Sequence, residues 1–224
     1  MGEPGFARNT SERTKTEWAQ GLLTLVTGLT IAHLGVTLFL VSGLGSDPFT
    51  IFIEGLARSV GLSIGTVHVI VLISLMALML LTTKGYVKPG TAVCAFLGGW
   101  IIDFFLWVLG GRIGPASPMP VRLAVMVLGV IVLSLGMSVV IKSNSGTGPN
   151  DLIAMILTDK ISARRPVGFR WVRIGCDVFF ALVGLALGGT IGIGTAAAIV
   201  LTGPAVQFFL PHSEKAIHLF FPSI

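Results

Sequence analysis

Six long apolar runs, separated by short polar or glycine-rich segments, are the feature that most limits how this chain can fold. A hydrocarbon core about 30 Å thick needs roughly 20 apolar residues in a helix that rises about 1.5 Å per residue. Charged residues make up only 11% of the 224 residues, against roughly a quarter in soluble domains. The sequence therefore predicts an all-α membrane protein with six transmembrane helices, near residues 18–41, 63–83, 90–109, 121–141, 169–187 and 191–210.

The lysines and arginines are unevenly distributed between the two sides of this topology. If the N-terminus is cytoplasmic, 12 of the 15 fall on the inside, and only Arg58, Arg112 and Arg122 fall on the outside. Cytoplasmic loops of membrane proteins carry such an excess. We therefore expect both termini to be cytoplasmic, with tails at 1–16 and 212–224 around one membrane domain at 17–211. No basic cluster is interleaved with aromatic residues, so no nucleic-acid partner is expected.

The two halves of the chain share motifs in the same order. Gly28 precedes Leu34-Gly35 by the same spacing as Gly129 precedes Leu135-Gly136. A glycine turn and a short apolar segment follow each of these spans, at 42–48 and 145–151. These matches predict an internal duplication, with repeats at about 17–109 and 121–211. We expect Gly35 and Gly136 to lie where helices cross closely, because neither has a side chain to hold a neighbour apart.

A third match supports the duplication with one sequence offset. The aligned positions are Gly90-Thr91 with Gly194-Thr195, Gly99 with Gly203, Asp103 with Gln207, and Phe104-Phe105 with Phe208-Phe209. Because each repeat has three spans, an odd number, the second copy enters the membrane from the opposite face. Inverted repeats of this kind occur in many secondary transporters, where they permit alternating access. The other interpretation is that duplication made a stable bundle without transport.

Each glycine turn is followed by a segment too short to span the membrane. Asp47-Pro48 is a helix-start signature, which predicts a helix from Pro48 to about Val60. Glu54 and Arg58 are spaced as an i,i+4 ion pair on this helix. Two interpretations stay open. The short helices lie flat in the interface, or they re-enter the membrane from opposite faces and aim their N-terminal amides at a central cavity suited to a carboxylate or phosphate.

Polar residues at these turns and inside the spans are the candidate site residues, because lipid does not tolerate them unpaired. We expect a substrate site between the halves, bounded by Asp47, Asn150, Asp103, Gln207, Gly45 and Gly148. Asp103, His33 and His68 are candidates for proton coupling, and buried structural hydrogen bonding is the alternative for each. Asp177 lies four residues after Arg173, which favours a structural ion pair.

No motif of a known catalytic class is present, so no enzymatic activity, catalytic residue, cofactor or metal site is expected. Cys94 and Cys176 lie inside predicted spans and are interpreted as packing residues. Gly184 and Gly188 form a GxxxG pair, which permits close helix contact within the bundle or in a homodimer.

Several of these segments resemble one family of bacterial membrane proteins. Leu34-Gly35, the turn at 43–48, the motif Gly61-Leu62-Ser63-Ile64-Gly65 and the segment 90–105 are similar to the YczE/YyaS/YitT family, over about 21–209. The chain ends soon after Phe209 and looks closer to the short YczE-like members than to those with a cytoplasmic C-terminal domain. The resemblance implies a bacterial plasma-membrane location and brings no established reaction.

Two functions are consistent with these observations. The first is secondary transport or export of a small polar or amphipathic organic molecule by alternating access, in contact with membrane lipids. The second is a non-transporting scaffold or accessory protein for a biosynthetic or regulatory complex. A midplane cavity lined by both repeats favours the first function, and a packed interior favours the second.

Overall fold

In the computed structural model, which describes residues 13–83, 85–163 and 167–221, the regular structure consists of α-helices. In chain order they are α1 (Lys15–Ser42), α2 (Pro48–Val60), α3 (Ile64–Thr82), α4 (Pro89–Leu109), α5 (Met119–Lys142), α6 (Pro149–Ser162), α7 (Phe169–Ala186) and α8 (Ile193–Phe220). No strand occurs in these ranges, so the predicted all-α class is confirmed.

Five helices within the described ranges are long and apolar enough to cross a membrane: α1, α3, α4, α5 and α8. They coincide with five of the six predicted spans. The sixth prediction falls on α7, which carries Arg170, Arg173 and Asp177 within its 18 residues. These charges keep α7 outside the set that length and composition mark as spanning.

The two short helices are present where the glycine turns placed them. α2 begins at Pro48 as predicted, and the carboxylate of Asp47 accepts the Thr50 amide at 3.1 Å. Arg58 donates to Glu54 at 2.6 Å, which confirms the predicted i,i+4 pair. Eight of the 13 residues of α2 are buried, because the helix packs against α3 and α7.

The centre of the fold is the crossing of α1 and α5, the first helix of each half. A Cβ atom on Gly35 would overlap the backbone of Leu133, and a Cβ atom on Gly136 would overlap the backbone of Ala32. Residue numbers rise along one helix as they fall along the other, so the helices are antiparallel. One offset of 101 residues relates the two contacts (35 to 136 and 32 to 133). The predicted close crossing at Gly35 and Gly136 is confirmed.

The turns that follow α1 and α5 make the same hydrogen bonds. The hydroxyl of Ser42 donates to a carbonyl of the preceding helical turn and accepts the Leu44 amide at 3.2 Å. The hydroxyl of Ser143 donates in the same way and accepts the Ser145 amide at 3.3 Å. Both serines are fully buried. The offset of 101 residues therefore extends from the helices into the turns.

Each half also donates a backbone hydrogen bond to the turn of the other half. The amide of Gly90, at the start of α4, donates to the carbonyl of Ser145 at 3.0 Å. The amide of Gly194, at the start of α8, donates to the carbonyl of Leu44 at 2.8 Å. Free amides at a helix start need partners. Here the two halves supply those partners to each other.

One packing arrangement differs between the halves. α3 packs along α4, where Gly65 and Gly99 meet backbone to backbone. The corresponding helices of the second half, α7 and α8, are not packed along each other in the described part of the chain. α7 packs instead along α2, where Gly184 meets the α2 backbone and Gly55 meets the α7 backbone. Gly184 therefore makes its close contact within the bundle.

The last helix is longer than predicted. The sequence predicts a span to about residue 210, but α8 continues through Pro211 to Phe220. The extension is held against α5 by two polar contacts. Ser213 and Ser138 are hydrogen-bonded at 2.6 Å, and Lys142 donates to Glu214 at 2.7 Å.

We expect Gly35→Leu and Gly136→Leu each to destabilise the fold by about 1–3 kcal/mol or more, because each side chain would force the crossing apart. The measurement is the thermal unfolding temperature in detergent. Gly175→Leu is the matched control, since a Cβ atom at Gly175 meets no described atom within 4 Å. Unfolding temperatures equal to that of the control in both crossing variants would contradict the prediction.

Candidate functional site

Two buried histidines meet beside the crossing of α1 and α5. His33 on α1 and His68 on α3 are 9% and 7% exposed, and their ring centroids lie 5.4 Å apart in an edge-to-face arrangement. Gly98 on α4 leaves the space for both rings. A Cβ atom there would lie 2.9 Å from Nε2 of His33 and 3.1 Å from Nε2 of His68. Three helices of the first half therefore build one imidazole pair.

The hydrogen bonds of the pair leave ring nitrogens available. Nδ1 of His33 lies 2.8 Å from the carbonyl oxygen of Leu29, and because a carbonyl only accepts, Nδ1 carries the proton. In the neutral ring Nε2 is then an acceptor on the His68 side. Among the described residues His68 makes ring contacts, with His33 and with Phe49 at 5.8 Å. Neutral imidazoles with an available ring nitrogen can exchange a proton.

The start of α2 lies next to the histidine pair, since Phe49 belongs to its first turn. Asp47, two residues earlier, caps the helix by accepting the Thr50 amide, and the Ser46 hydroxyl donates to it at 3.3 Å. One amide of the first turn of α2 is thus already paired with a carboxylate. An anionic ligand at this helix start, one of the predicted possibilities, would have to displace or face Asp47.

The two predicted site glycines have different surroundings. Gly45 has a φ of +94°, and a Cβ atom there would lie 2.5 Å from Thr195 Oγ1 and 2.6 Å from the Gly192 nitrogen. This position needs glycine because the turn packs onto the start of α8. Gly148 is the residue before α6, with a φ of −59°, and gives that helix no side-chain cap.

A charged group joins α6 to α7. Arg173 donates to Asp151 at 2.7 Å and to Asp177 at 3.4 Å, so one guanidinium faces two carboxylates. The predicted pair with Asp177 is confirmed, and Asp151 is an additional, shorter partner. The amide of Asn150 donates to Asp151 at 3.3 Å. All three charged side chains are about one-quarter to one-third exposed.

The structure does not bring Asp103 and Gln207 together. Asp103 on α4 accepts the Ser63 hydroxyl at 2.5 Å and the Gly65 amide at 2.8 Å, so it caps α3 within its own half. Gln207 lies on an exposed face of α8. In the described ranges α4 and α8 are not packed against each other. Asp103 faces α3 of its own half. Gln207 lies at the aligned position of α8, on the surface that would face α7, the counterpart of α3.

The match of the turn segments 42–48 and 145–151 differs by two residues from the alignment that the helices give. The offset of 101 places Pro48 opposite Pro149, the first residue of each short helix. Asp47 then corresponds to Gly148, and Asn150 corresponds to Phe49. Asp47 and Asn150 therefore belong to corresponding turns of the two halves, but they do not occupy corresponding positions.

An arginine closes each of the two turns. Arg122 donates to the carbonyls of Ser42 and Gly43, at 2.7 and 2.9 Å. Arg13 donates to the carbonyls of Ser143 and Asn144, at 3.4 and 3.3 Å. The carbonyls at the end of a helix lack intrahelical partners. These arginines supply that pairing at both turns.

A groove of about 310 Å³ lies on the outside of the bundle between α1 and α4. Its lining is almost entirely apolar and consists of Val26, Thr30, Leu97, Trp100, Ile101, Phe104 and Phe105. It does not include His33, His68 or any of the predicted substrate-site residues. Its character is that of a lipid-facing surface.

Comparison with known proteins places this architecture in a family. The family model described as "Family of unknown function (DUF6198)" matches residues 19–211. The chain belongs to this family. It is 31% identical over 193 residues to the "Uncharacterized membrane protein YczE" of Bacillus subtilis (strain 168), which covers 85% of this chain and 86% of the relative.

Two further relatives of this DUF6198 chain have similar coverage. The "Uncharacterized protein YyaS" of Bacillus subtilis (strain 168) is 29% identical, over 84% of this chain and 91% of its own length. An "Uncharacterized protein" of Haemophilus influenzae (strain ATCC 51907 / DSM 11121 / KW20 / Rd) is 27% identical, over 87% and 85%. No solved structure matches with significant similarity. The predicted YczE-like membership is confirmed.

Several residues of the DUF6198 chain that matter in the structure were not singled out from its sequence. Gly98 adjoins the aligned Gly99, and only the contact between helices shows that it accommodates the histidines. Asp151 follows the Pro149 helix start, and the available signal that a second carboxylate lies near was that α7 carries two arginines, Arg170 and Arg173, but one carboxylate. Within the described residues no three metal-ligating side chains are grouped in a way that would hold a metal ion.

Replacing Asp103 with Ala should destabilise the protein by about 1–3 kcal/mol, because the Gly65 amide and the Ser63 hydroxyl would lose their acceptor. Gln207→Ala is the matched control, and we expect no measurable change from it. The measurement is thermal unfolding in detergent. Equal effects of the two substitutions would contradict the capping role of Asp103.

The turn between α3 and α4 is tied to α6 by Tyr86, whose hydroxyl donates to Asp159. This hydrogen bond raises the pKa of Tyr86 above its ordinary value, because the bond requires the protonated phenol. The stabilisation is therefore complete below about pH 10, the ordinary tyrosine pKa, and is lost as the pH rises through the raised pKa.

We expect Tyr86→Phe to unfold at a lower temperature than the wild type at about pH 8, and the difference to shrink at about pH 11. Both comparisons use the same detergent and buffer strength. A difference that stays constant between the two pH values would show that the hydrogen bond is not its source.

Proposed function

We propose that this protein is a secondary transporter or exporter of a small polar or amphipathic organic molecule, built from two inverted repeats. α1 to α4 form one repeat and α5 to α8 form the other. α7 is then the sixth span, and both termini lie in the cytoplasm at the bacterial plasma membrane. An enzymatic activity is not part of the proposal.

One observation carries the proposal: the contacts between the halves occur twice, in opposite directions. α1 crosses α5 antiparallel through contacts related by one offset, and the starts of α4 and α8 each pair with the turn of the other half. Two halves joined in this reciprocal way have two equivalent ways to tilt against each other. Alternating access requires such a pair of conformations.

The histidine pair supports proton coupling as part of the transport cycle. His33 lies next to Ala32 and Gly35, the residues at the α1–α5 crossing, and His68 lies on a neighbouring helix. A polar pair built in the first half beside this crossing changes its surroundings when the halves tilt. Ionisable groups held inside a membrane domain commonly mark substrate or proton pathways.

Counterflow in proteoliposomes tests transport. Vesicles are preloaded with an unlabelled mixture of amino acids, organic acids and amines, and then diluted into the isotope-labelled mixture. We expect at least one labelled compound to accumulate above the level in protein-free vesicles, because a carrier exchanges inside for outside substrate. No exchange of any compound by correctly folded protein would contradict the proposal.

His33→Gln and His68→Gln then test proton coupling on the exchanged compound. We expect both variants to keep counterflow. Their uptake driven by an imposed pH gradient should fall at least about tenfold. His212→Gln is the control, since His212 is an exposed residue of α8. Gradient-driven uptake at the wild-type level in both variants would exclude the histidine pair as the coupling site.

The packing of the centre favours a second function, that of a scaffold or accessory protein. Phe39, Ile102 and Thr37 are among the fully buried residues near the crossing, and the 310 Å³ groove lies outside it. A scaffold would keep this packing permanently. A protein that never exchanges a substrate and that copurifies with one membrane complex would fit this second function better.

A further inference from the structure

The first half contains a docking place for a helix start. Gly65, at the beginning of α3, meets Gly99 of α4 so closely that a Cβ atom on either would overlap the other's carbonyl. One turn further along α4, Asp103 accepts the Gly65 amide at 2.8 Å and the Ser63 hydroxyl at 2.5 Å. A glycine for close approach and an acceptor for the free amides together hold the start of α3 on α4.

The second half has the matching parts without the contact. Gly203 and Gln207 of α8 align with Gly99 and Asp103, and Gly168 precedes α7 much as Gly65 begins α3. A Cβ atom on Gly168 or on Gly203 would meet no described atom within 4 Å. The Gln207 side chain makes no hydrogen bond with a described residue. The start of α7 has no side-chain cap among those residues either.

In the described conformation α7 is held away from α8 at two places. Its second half lies on α2, where Phe180 and Gly184 contact Phe49 and the backbone of Ile51. Its first half is tied to α6, because Arg173 donates to Asp151 at 2.7 Å. Phe180 and Gly184 both lie in the second half of α7. A movement of its start therefore has to open the Arg173–Asp151 pair.

We propose that Gly203 and Gln207 form a second docking place, which receives the start of α7 in another conformation of the protein. Docking leaves the Gly184 contact as the pivot and exchanges the Arg173–Asp151 pair for a cap by the Gln207 amide oxygen. This inference rests on the proposed function only where the movement is interpreted as a transport step. The docking itself follows from the unequal packing of the two halves.

Three features of α8, each with a cost to the helix, support this assignment. A glycine within a helix weakens it, and Gly203 gains no contact in return in the described conformation. A glutamine side chain on an exposed face of a membrane helix lacks the pairing it needs. Pro204 follows directly and removes one backbone hydrogen bond, so α8 can bend at this point. All three features have a use if α7 covers this stretch.

Cross-linking of the full-length protein in proteoliposomes tests the docking. Phe169→Cys and Phe208→Cys are introduced together after Cys94 and Cys176 have been replaced by Ala, and the chain is treated with a short bifunctional thiol reagent. Leu62→Cys with Phe104→Cys is the matched pair, because Phe104 aligns with Phe208 and Leu62 precedes Ser63, which already contacts Asp103. Peptide mass spectrometry measures the linked fraction in each protein.

We expect the matched pair to be linked in most molecules and the α7–α8 pair in a minority. Adding Asp151→Asn should raise the α7–α8 fraction about fivefold, because the ion pair that holds α7 away is weakened. Adding Gly203→Leu should lower it about fivefold or more, because the side chain fills the docking place. The unfolding temperature of the Gly203→Leu variant should stay that of the parent.

A linked fraction of zero in all three α7–α8 proteins, beside a linked matched pair, would overturn the docking. So would a fraction that Gly203→Leu leaves unchanged. Linking that follows the expected order, in a protein that exchanges no compound, would support the docking and count against transport. Exchange of a compound without any α7–α8 linking would support transport and overturn the docking.

Discussion

The glycine-lined crossing of α1 and α5 is the contact on which the other packing depends. In a bilayer, burying an apolar side chain between helices gains little over lipid, so close backbone approach and complementary shape must hold helices together. Gly35 and Gly136 permit that approach at one point. α4 and α8 are then positioned by reciprocal contacts, since the start of α4 pairs with the turn after α5 and the start of α8 pairs with the turn after α1.

Polar backbone inside the bundle is paired by groups that come from the other half. The turn after α1 is closed by Arg122, and the turn after α5 is closed by Arg13. Gly21 occupies the position that corresponds to Arg122, and it leaves room for Arg13, whose Nη1 would lie 3.2 Å from a Cβ atom there. The same task is thus performed by arginines from unequal places in the two sequences. A low-dielectric interior leaves little alternative to such pairing.

Local features were predictable from the sequence, and long-range geometry was not. The cap at Asp47, the start at Pro48 and the crossing glycines follow from residue type and spacing, because these are short-range properties of a helix. The partners of Asp103 were not predictable, since alignment shows which positions correspond but not which helix each one meets. Gly98 carries no signal of its own. Its value appears only when His33 and His68 arrive from two other helices.

The hydrogen bond from Gly90 to Ser145 has a consequence for how the chain is made. Its acceptor is synthesised 55 residues after its donor (90 to 145), so α4 is made before the partner of its first turn exists. During synthesis the start of α4 therefore lacks the acceptor that it has in the folded protein until the ribosome has passed α5 and the turn that follows it.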